Sequence, residues 1–236
     1  MTTFPDIIIL AGGLGTRLQS VVKELPKPMA SVCGKPFLHW LLDYLYDLKP
    51  NKFILSTGYK HEAIEDYFGS SFQGIPIVYG IESEPLGTGG GIKKAMMLSD
   101  TEHCLVLNGD TFLRADHRLF MDYHLERKAL FTMALKTMEN PYRYGTVEVS
   151  QDIIQQFNEK NPELSKGLIN TGVYALSKKV FEYFPPSEKF SFEKDFIEVK
   201  TEILKINSFV TDSYFIDIGI PEDYNKANEE FPLLFY

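Results

Sequence analysis

The chemistry of this chain lies in short runs that are rich in glycine or end in a carboxylate. Leu10-Ala11-Gly12-Gly13-Leu14-Gly15-Thr16-Arg17-Leu18 follows directly on the apolar run Ile7 to Leu10. Glycines let a backbone come close to a bulky anion. Successive N–H groups in such a turn make an anion-binding nest, which a following helix end would strengthen. Arg17 adds a planar guanidinium able to grip phosphate oxygens. The run is not a Walker A loop, because no Gly-Lys-Ser/Thr follows. Nor is it a dinucleotide fingerprint, because Leu18 stands where the last glycine of G-x-G-x-x-G would be. A purely structural strand-to-helix turn is the alternative, and Thr16-Arg17 straight after the glycines weighs against it. Lys27 sits between Pro26 and Pro28, which stiffen the backbone and lower the entropy lost in aiming a long side chain.

Asn108-Gly109-Asp110 ends the apolar run Cys104 to Leu107, at the kind of strand end where open α/β sheets place ligands. Asp217 ends a second strand-like run that begins at Tyr214. An unpaired carboxylate at either place would be costly. Mg2+ shared by Asp110 and Asp217 would pair both, and this ion prefers oxygen ligands together with substrate phosphates. For Asp217 a turn or cap role is the plainer alternative, since Gly219-Ile220-Pro221 opens a helix. Glu84-Pro85-Leu86-Gly87-Thr88-Gly89-Gly90-Gly91 is a second glycine-rich loop before a helix, able to bring peptide groups up to a flat ring.

The elements that must position these groups alternate between strands and helices through the first half, as in a βαβ layout. Strands are expected at Ile7 to Leu10, Lys52 to Thr57, Ile75 to Tyr79 and Cys104 to Leu107. Helices are expected from about Phe37 to Leu48, Glu62 to Phe68 and Gly91 to Leu98. Beyond a helix at Asp116 to Lys128 the pattern shifts to shorter strands: Phe131 to Thr137, Thr146 to Val149, Ile153 to Phe157, Ile169 to Leu176 and Tyr214 to Asp217. Helices at Lys178 to Phe184 and Glu222 to Glu230 complete the count. No internal repeat, low-complexity tract or linker appears, so residues 1–236 read as one domain.

Composition excludes several classes. With 44% hydrophobic residues the 236-residue chain has the content of an ordinary globular core. Its net charge of −8 argues against a nucleic-acid surface and means that any phosphate site needs a local positive field. No apolar run is long enough to span a bilayer, and no secretory signal is recognisable at the start. A cytoplasmic protein with no membrane partner is the expectation. Cys33 and Cys104 form no metal-like cluster, and Cys104 is expected to be a buried thiol. The five histidines lack ligand spacing.

Leu10 to Leu18 taken with Pro26-Lys27-Pro28-Met29 resembles the signature of the sugar-phosphate nucleotidyltransferases, L-x-G-G-x-G-T-R-L followed by P-K-P. The fold this implies is a single-domain, Rossmann-like α/β three-layer sandwich with a mixed, mostly parallel sheet. The activity implied is transfer of a nucleoside monophosphate from an NTP to a sugar 1-phosphate, with Mg2+ as cofactor. By resemblance Arg17, Lys27 and Asp110 are catalytic. Leu10, Ala11, Gly12, Gly13, Gly15, Thr16, Arg17, Lys27, Pro85, Gly87, Thr88, Gly109 and Asp110 would bind the nucleotide, with Gly89 replacing the alanine of the family's P-L-G-T-A-G. The metal would sit on Asp110 and Asp217.

Further family-like segments mark the sugar side. Phe157-Asn158-Glu159-Lys160 is similar to F-x-E-K, with Glu159 for sugar hydroxyls and Lys160 for the sugar phosphate. Asn170-Thr171-Gly172 is similar to an N-T-G strand start that faces the sugar. Arg143-Tyr144-Gly145 looks like an R-Y-G turn, with Gly145 admitting the sugar to the backbone. Each motif is weak alone; their order carries the resemblance from Ile7 to Asn225.

Within the family, these runs and Gly34-Lys35-Pro36-Phe37-Leu38 most resemble D-glycero-α-D-manno-heptose 1-phosphate guanylyltransferases. Mannose 1-phosphate guanylyltransferases and glucose-type uridylyl- or thymidylyltransferases are the alternatives. A silent sugar-nucleotide-binding subunit is the competing class, and it would be expected to have lost Arg17, Lys27, Asp110 or Asp217. No room is expected for a C-terminal β-helix domain. A homodimer stays open, as does the apolar tail Phe231 to Tyr236, which reads either as internal packing or as an interface.

Overall fold

Residue alternation in the central strands sets the layers. The computed structural model describes residues 3–13, 25–158 and 164–235. In chain order its strands are β1 (Ile7–Leu10), β2 (Ser31–Val32), β3 (Lys35–Pro36), β4 (Phe53–Thr57), β5 (Ser71–Phe72), β6 (Ile75–Ile81), β7 (His103–Asn108), β8 (Thr111–Leu113), β9 (Phe131–Glu139), β10 (Thr146–Ser150), β11 (Ile153–Asn158), β12 (Lys166–Ser177), β13 (Asn207–Val210) and β14 (Phe215–Asp217). Its helices are α1 (Phe37–Tyr46), α2 (His61–Phe68), α3 (Gly87–Met97), α4 (His117–Glu126), α5 (Glu198–Lys200) and α6 (Pro221–Phe235). Ile7 and Ile9 of β1, Phe53 and Leu55 of β4, and Leu105 and Leu107 of β7 face one core; Ile8, Ile54, Cys104 and Val106 face the other. Strands covered on both faces read as continuous apolar runs, as these do.

Ten strands form one sheet in the order β10-β11-β13-β9-β12-β7-β1-β4-β6-β5. The run β7-β1-β4-β6 is parallel throughout. β12 lies antiparallel between β7 and β9, and β10 and β11 are antiparallel to each other. The α/β expectation with a mixed sheet holds, but the sheet is not mostly parallel: parallel pairing is concentrated in the first half, and the second half and the β5 edge are mainly antiparallel. β13 joins β9 in parallel, a strand the sequence pattern does not reveal.

Two differences from the expected elements bear on the site. α3 begins at Gly87 rather than Gly91, so the second glycine run is the first turn of a helix and not a loop. Glycine is a poor helix former, and packing overrides that preference: a Cβ on Gly89 would lie 2.1 Å from the Phe190 ring. Phe192–Ile197 forms a π-helix with no warning in the sequence periodicity, and such irregular turns are frequent at functional sites.

Phe231 and Phe235 of the tail pack internally, while Leu233 stays exposed. Phe231 lies against Phe37, Trp40 and Phe112, and Phe235 against Trp40 and Phe112. Polar ties reinforce this, with Asn228 Oδ1 accepting from the Cys33 N–H at 2.9 Å and Tyr224 donating to the Ser31 carbonyl. Both cysteines are free thiols, and Cys104 is buried as expected. No helix among the described residues is long and apolar enough to cross a membrane.

Candidate active site

Lys27 is aimed by the turn that carries it. Pro26 is extended, Lys27–Met29 forms one 3-10 turn, and the buried Pro28 and Met29 anchor it. The Lys27 ammonium donates to Asp110 Oδ2 at 2.6 Å and to Asp217 Oδ1 at 3.3 Å. Asp110 follows β7 directly. Asp217 ends β14, which pairs antiparallel with β8, the strand just after Asp110. A two-stranded ribbon therefore brings the two carboxylates to one cation. The Lys27 side chain is only 11% exposed. Burial works against its charge, yet Asp110 and Asp217 outweigh that and raise its pKa. Burial and then the charge of Asp110 raise the pKa of Asp217, with Lys27 pulling the other way.

The turn role considered for Asp217 is also present, since its Oδ1 accepts the Gly219 N–H at 2.7 Å. A Cβ on Gly219 would stand 2.9 Å from Asp217 Oδ1 and 3.1 Å from Lys27 Nζ. Gly219 is thus required by the close approach of an ammonium and a carboxylate, a need that sequence reasoning missed.

The pair of carboxylates fits a divalent cation. Both are hard oxygen donors already converging on a positive charge. Among the described residues no group of three or more His, Cys, Asp or Glu side chains could complete a metal cage. That leaves the remaining coordination to phosphate and water oxygens, which is how Mg2+ is usually held.

These three residues line a cavity of about 230 Å³ together with Asn108, Tyr144, Gly145, Asn170, Thr171 and Glu193. β12 supplies its wall through a break in register. Asn170 faces Leu135 of β9, but Tyr174 faces Met133, so β12 carries two extra residues there. Bulges of this kind re-aim side chains next to active sites. Asn170 spans the bulge, donating to the Tyr174 hydroxyl at 2.8 Å and accepting from the Gly172 N–H at 2.9 Å. Thr171 is buried and its hydroxyl donates to the Ala134 carbonyl at 2.8 Å, so it offers the cavity its backbone rather than its hydroxyl. A Cβ on Gly145 would lie 2.6 Å from the Phe157 ring. That glycine answers first to packing and only then to any ligand. Burial and Asp217 push the Tyr144 phenol up to about 12, which keeps it a neutral donor.

Among the residues expected to bind the nucleotide, Leu10 ends β1, the Ala11 N–H donates to the Ser56 carbonyl at 2.7 Å, and the Gly109 N–H donates to the Leu10 carbonyl at 2.8 Å. These bonds align the ends of β1, β4 and β7 below Gly12 and Gly13. Pro85, Gly87 and Thr88 are exposed at the start of α3. Thr88 donates to Glu193 Oε2 at 2.7 Å, which ties this side to the cavity through the π-helix. Leu14, Gly15, Thr16, Arg17 and Leu18, and Glu159 and Lys160, lie outside the described residues.

Two further acids escaped sequence reasoning. Glu193 reaches the cavity only because of the π-helix. Glu82 accepts from Ser56 Oγ at 3.0 Å and from the Leu86 N–H at 2.9 Å, and its carboxylate oxygen would lie 3.2 Å from a Cβ on Gly12. Two glutamates flank Ser83, and nothing in the sequence distinguishes them.

A parallel half-sheet whose first strand runs on to Gly12 and Gly13, with a lysine and two aspartates at the strand ends, is the arrangement the resemblance implies for a nucleotidyltransferase. The chain belongs to the nucleotidyl transferase family, which it matches over residues 6–232. It is 52% identical over 225 residues to the D-glycero-alpha-D-manno-heptose 1-phosphate guanylyltransferase of Aneurinibacillus thermoaerophilus, covering 95% of this chain and 97% of that one. Identity to the enzyme of the same name from Campylobacter jejuni is 47%, over 92% and 96% of the two chains. The crystal structure of HddC from Yersinia pseudotuberculosis superposes with a TM-score of 0.86 at 41% identity, covering 97% of this chain and all of that one. The same protein has been solved complexed with GMP-PN, with a TM-score of 0.84 at 40% identity, covering 97% of this chain and 100% of that one.

Proposed function

We propose that this enzyme transfers GMP from GTP to D-glycero-α-D-manno-heptose 1-phosphate, releasing pyrophosphate and forming the GDP-sugar used for surface polysaccharide. The observation that carries the reading is the Lys27 ammonium shared by Asp110 and Asp217 at the mouth of a polar cavity. Identity of about half the chain to heptose 1-phosphate guanylyltransferases supports the choice of sugar and base. Glu82 supports guanine on chemical grounds. The base edge presents an N1–H and an amino group, both donors, and the Glu82 carboxylate beside Gly12 would accept from them with the lone pairs that Ser56 and Leu86 leave over.

The chemistry requires no protein nucleophile. An ionised oxygen of the sugar phosphate attacks the α-phosphorus in line; the new O–P bond forms as the bond to the β-phosphate breaks and pyrophosphate takes the electron pair. Mg2+ held by Asp110 and Asp217 would neutralise and orient phosphate oxygens. Lys27 then turns from the carboxylates to the developing charge on the phosphates, joined by Arg17. Arg17, Gly15 and Thr16 hold the triphosphate, while Glu159 and Lys160 engage the sugar and its phosphate. Asn170 fixes the bulge that shapes the cavity. The reading is of a single cytoplasmic nucleotidyltransferase domain, with a homodimer left open.

The test is pyrophosphate release with Mg2+ across a panel of NTPs and sugar 1-phosphates. Turnover is expected with GTP and the heptose 1-phosphate. A preference for mannose 1-phosphate, or for UTP or dTTP with glucose 1-phosphate, would overturn the substrate choice and keep the mechanism. No turnover on any pair would favour a silent binding subunit.

A further inference from the structure

A second and larger cavity, about 600 Å³, adjoins the one beside Lys27. The two share Arg143, Tyr144, Phe215 and Asp217 as a common wall. On that wall Arg143 Nη2 donates to the Tyr144 hydroxyl at 2.9 Å and pairs with the Asp223 carboxylate. Both members of this pair keep 23% of their side chains exposed. Of the other charges on its lining, Glu139 is held by Lys166 at 2.7 Å, Lys226 by Glu230 at 3.7 Å and Asp217 by Lys27 at 3.3 Å, while Glu222 adds a further carboxylate. With acids outnumbering bases on its lining, the space has little attraction for a phosphate. It suits a neutral, hydroxyl-rich group.

The Arg143–Asp223 pair also has the geometry to recognise one. A guanidinium carries five N–H donors and a carboxylate about four acceptor positions, so each has capacity beyond its partner. A vicinal diol matches the pair, one oxygen accepting from the guanidinium while the neighbouring hydroxyl donates to the carboxylate. A hexose 1-phosphate seated by Lys27 has too short an exocyclic arm to present such a diol past C5. A seven-carbon sugar carries one at C6 and C7. Resting on the heptose reading above, we infer that the second cavity is the specificity subsite for the exocyclic diol of the sugar, with Arg143 and Asp223 as its readers.

The experiment measures kcat and KM with GTP for heptose 1-phosphate and for mannose 1-phosphate in the wild type, Asp223→Asn and Ile220→Phe. Ile220 lines only the second cavity of the two, so the phenylalanine fills the proposed diol site from the far side. Both variants should raise KM for the heptose roughly tenfold or more, the scale on which a pocket discriminates one missing group. The KM for GTP should hold, and the ratio of heptose to mannose efficiency should fall by the same factor. Equal losses on both sugars, or an unchanged ratio in both variants, would overturn the assignment. A wild type that uses mannose 1-phosphate and ignores the heptose would instead overturn the substrate reading on which the inference rests.

Discussion

The proposed nucleotide side and the proposed sugar side of this cleft are built by opposite means. On the nucleotide side, regular parallel strands end together, and bonds between their last residues align Leu10, Ala11 and Gly109. On the sugar side the sheet is mainly antiparallel, and the cavity comes from two surplus residues in β12, a π-helix and an ion pair. Regularity delivers a fixed platform for a part of the substrate that is common to many reactions. Irregularity delivers a wall whose shape can change without disturbing the platform. Lys27, Asp110 and Asp217 stand where the two meet.

The largest effect that would break this comparison is at that meeting point. Lys27→Ala should lower kcat more than ~100-fold, the scale for one lost donor to transition-state charge. It should leave two carboxylates facing each other with no resident cation, so the Mg2+ concentration needed for half-maximal rate should fall. Single-turnover rates against Mg2+ would show both, and a variant with normal kcat would remove Lys27 from the chemistry.

A pair of glycines sharpens the contrast between scaffold and site. Gly89→Ala drives a methyl into the Phe190 ring and should cost about 1–3 kcal/mol of stability, typical of overpacking. Gly219→Ala meets Asp217 and Lys27 instead, and should lower kcat with little change in Tm. Urea midpoints and initial rates on the two variants separate these outcomes. Exchange of the two phenotypes would mean that the roles are reversed.

The effect most remote from the site lies at the far end of β7 from Asp110. There His103 Nδ1 lies 2.9 Å from His124 Nε2, and His124 Nδ1 lies 2.8 Å from Thr132 Oγ1. Burial, with His103 adding to it, pushes His124 down to about 3, and burial pushes His117 down to about 4. In the unfolded chain both would titrate near 6.5, so as pH falls below that value the unfolded state binds more protons. Each should then cost about 1.4 kcal/mol per pH unit until its folded value is reached. Urea unfolding between pH 7.5 and 5 should steepen accordingly, and His124→Gln should remove about one proton from the slope. An unchanged slope in that variant would show that His124 is not buried neutral.

Much of the platform is legible in the sequence because its signals are local. Ile7 to Leu10 followed by glycines, and Cys104 to Leu107 followed by Asn-Gly-Asp, place functional residues at strand ends by pattern alone. The convergence of Lys27 with Asp110 and Asp217 spans 83 and 190 residues, and only the β8–β14 ribbon brings it about. The Gly87 to Gly91 run misleads because low helix propensity suggests a loop, whereas Phe190, a hundred residues away in sequence, favours a glycine-lined helix. Glu193 and the Arg143–Asp223 pair are invisible for the same reason. Glu193 depends on a π-helix without a periodic signature, and the pair depends on how the expected helix at Glu222 to Glu230 docks beside a turn 80 residues earlier.

The surplus in β12 is an even number. Side chains along a strand alternate between the two faces, so an insertion of two returns every later residue to the face it would have had. Leu168 on one side of the break, and Tyr174 and Leu176 on the other, all point into the same core. The cavity wall was therefore added to the sheet without rewriting its interior. Descendants of this fold can lengthen or trim that wall in steps of two while inheriting the same core, whereas a step of one would turn the strand inside out.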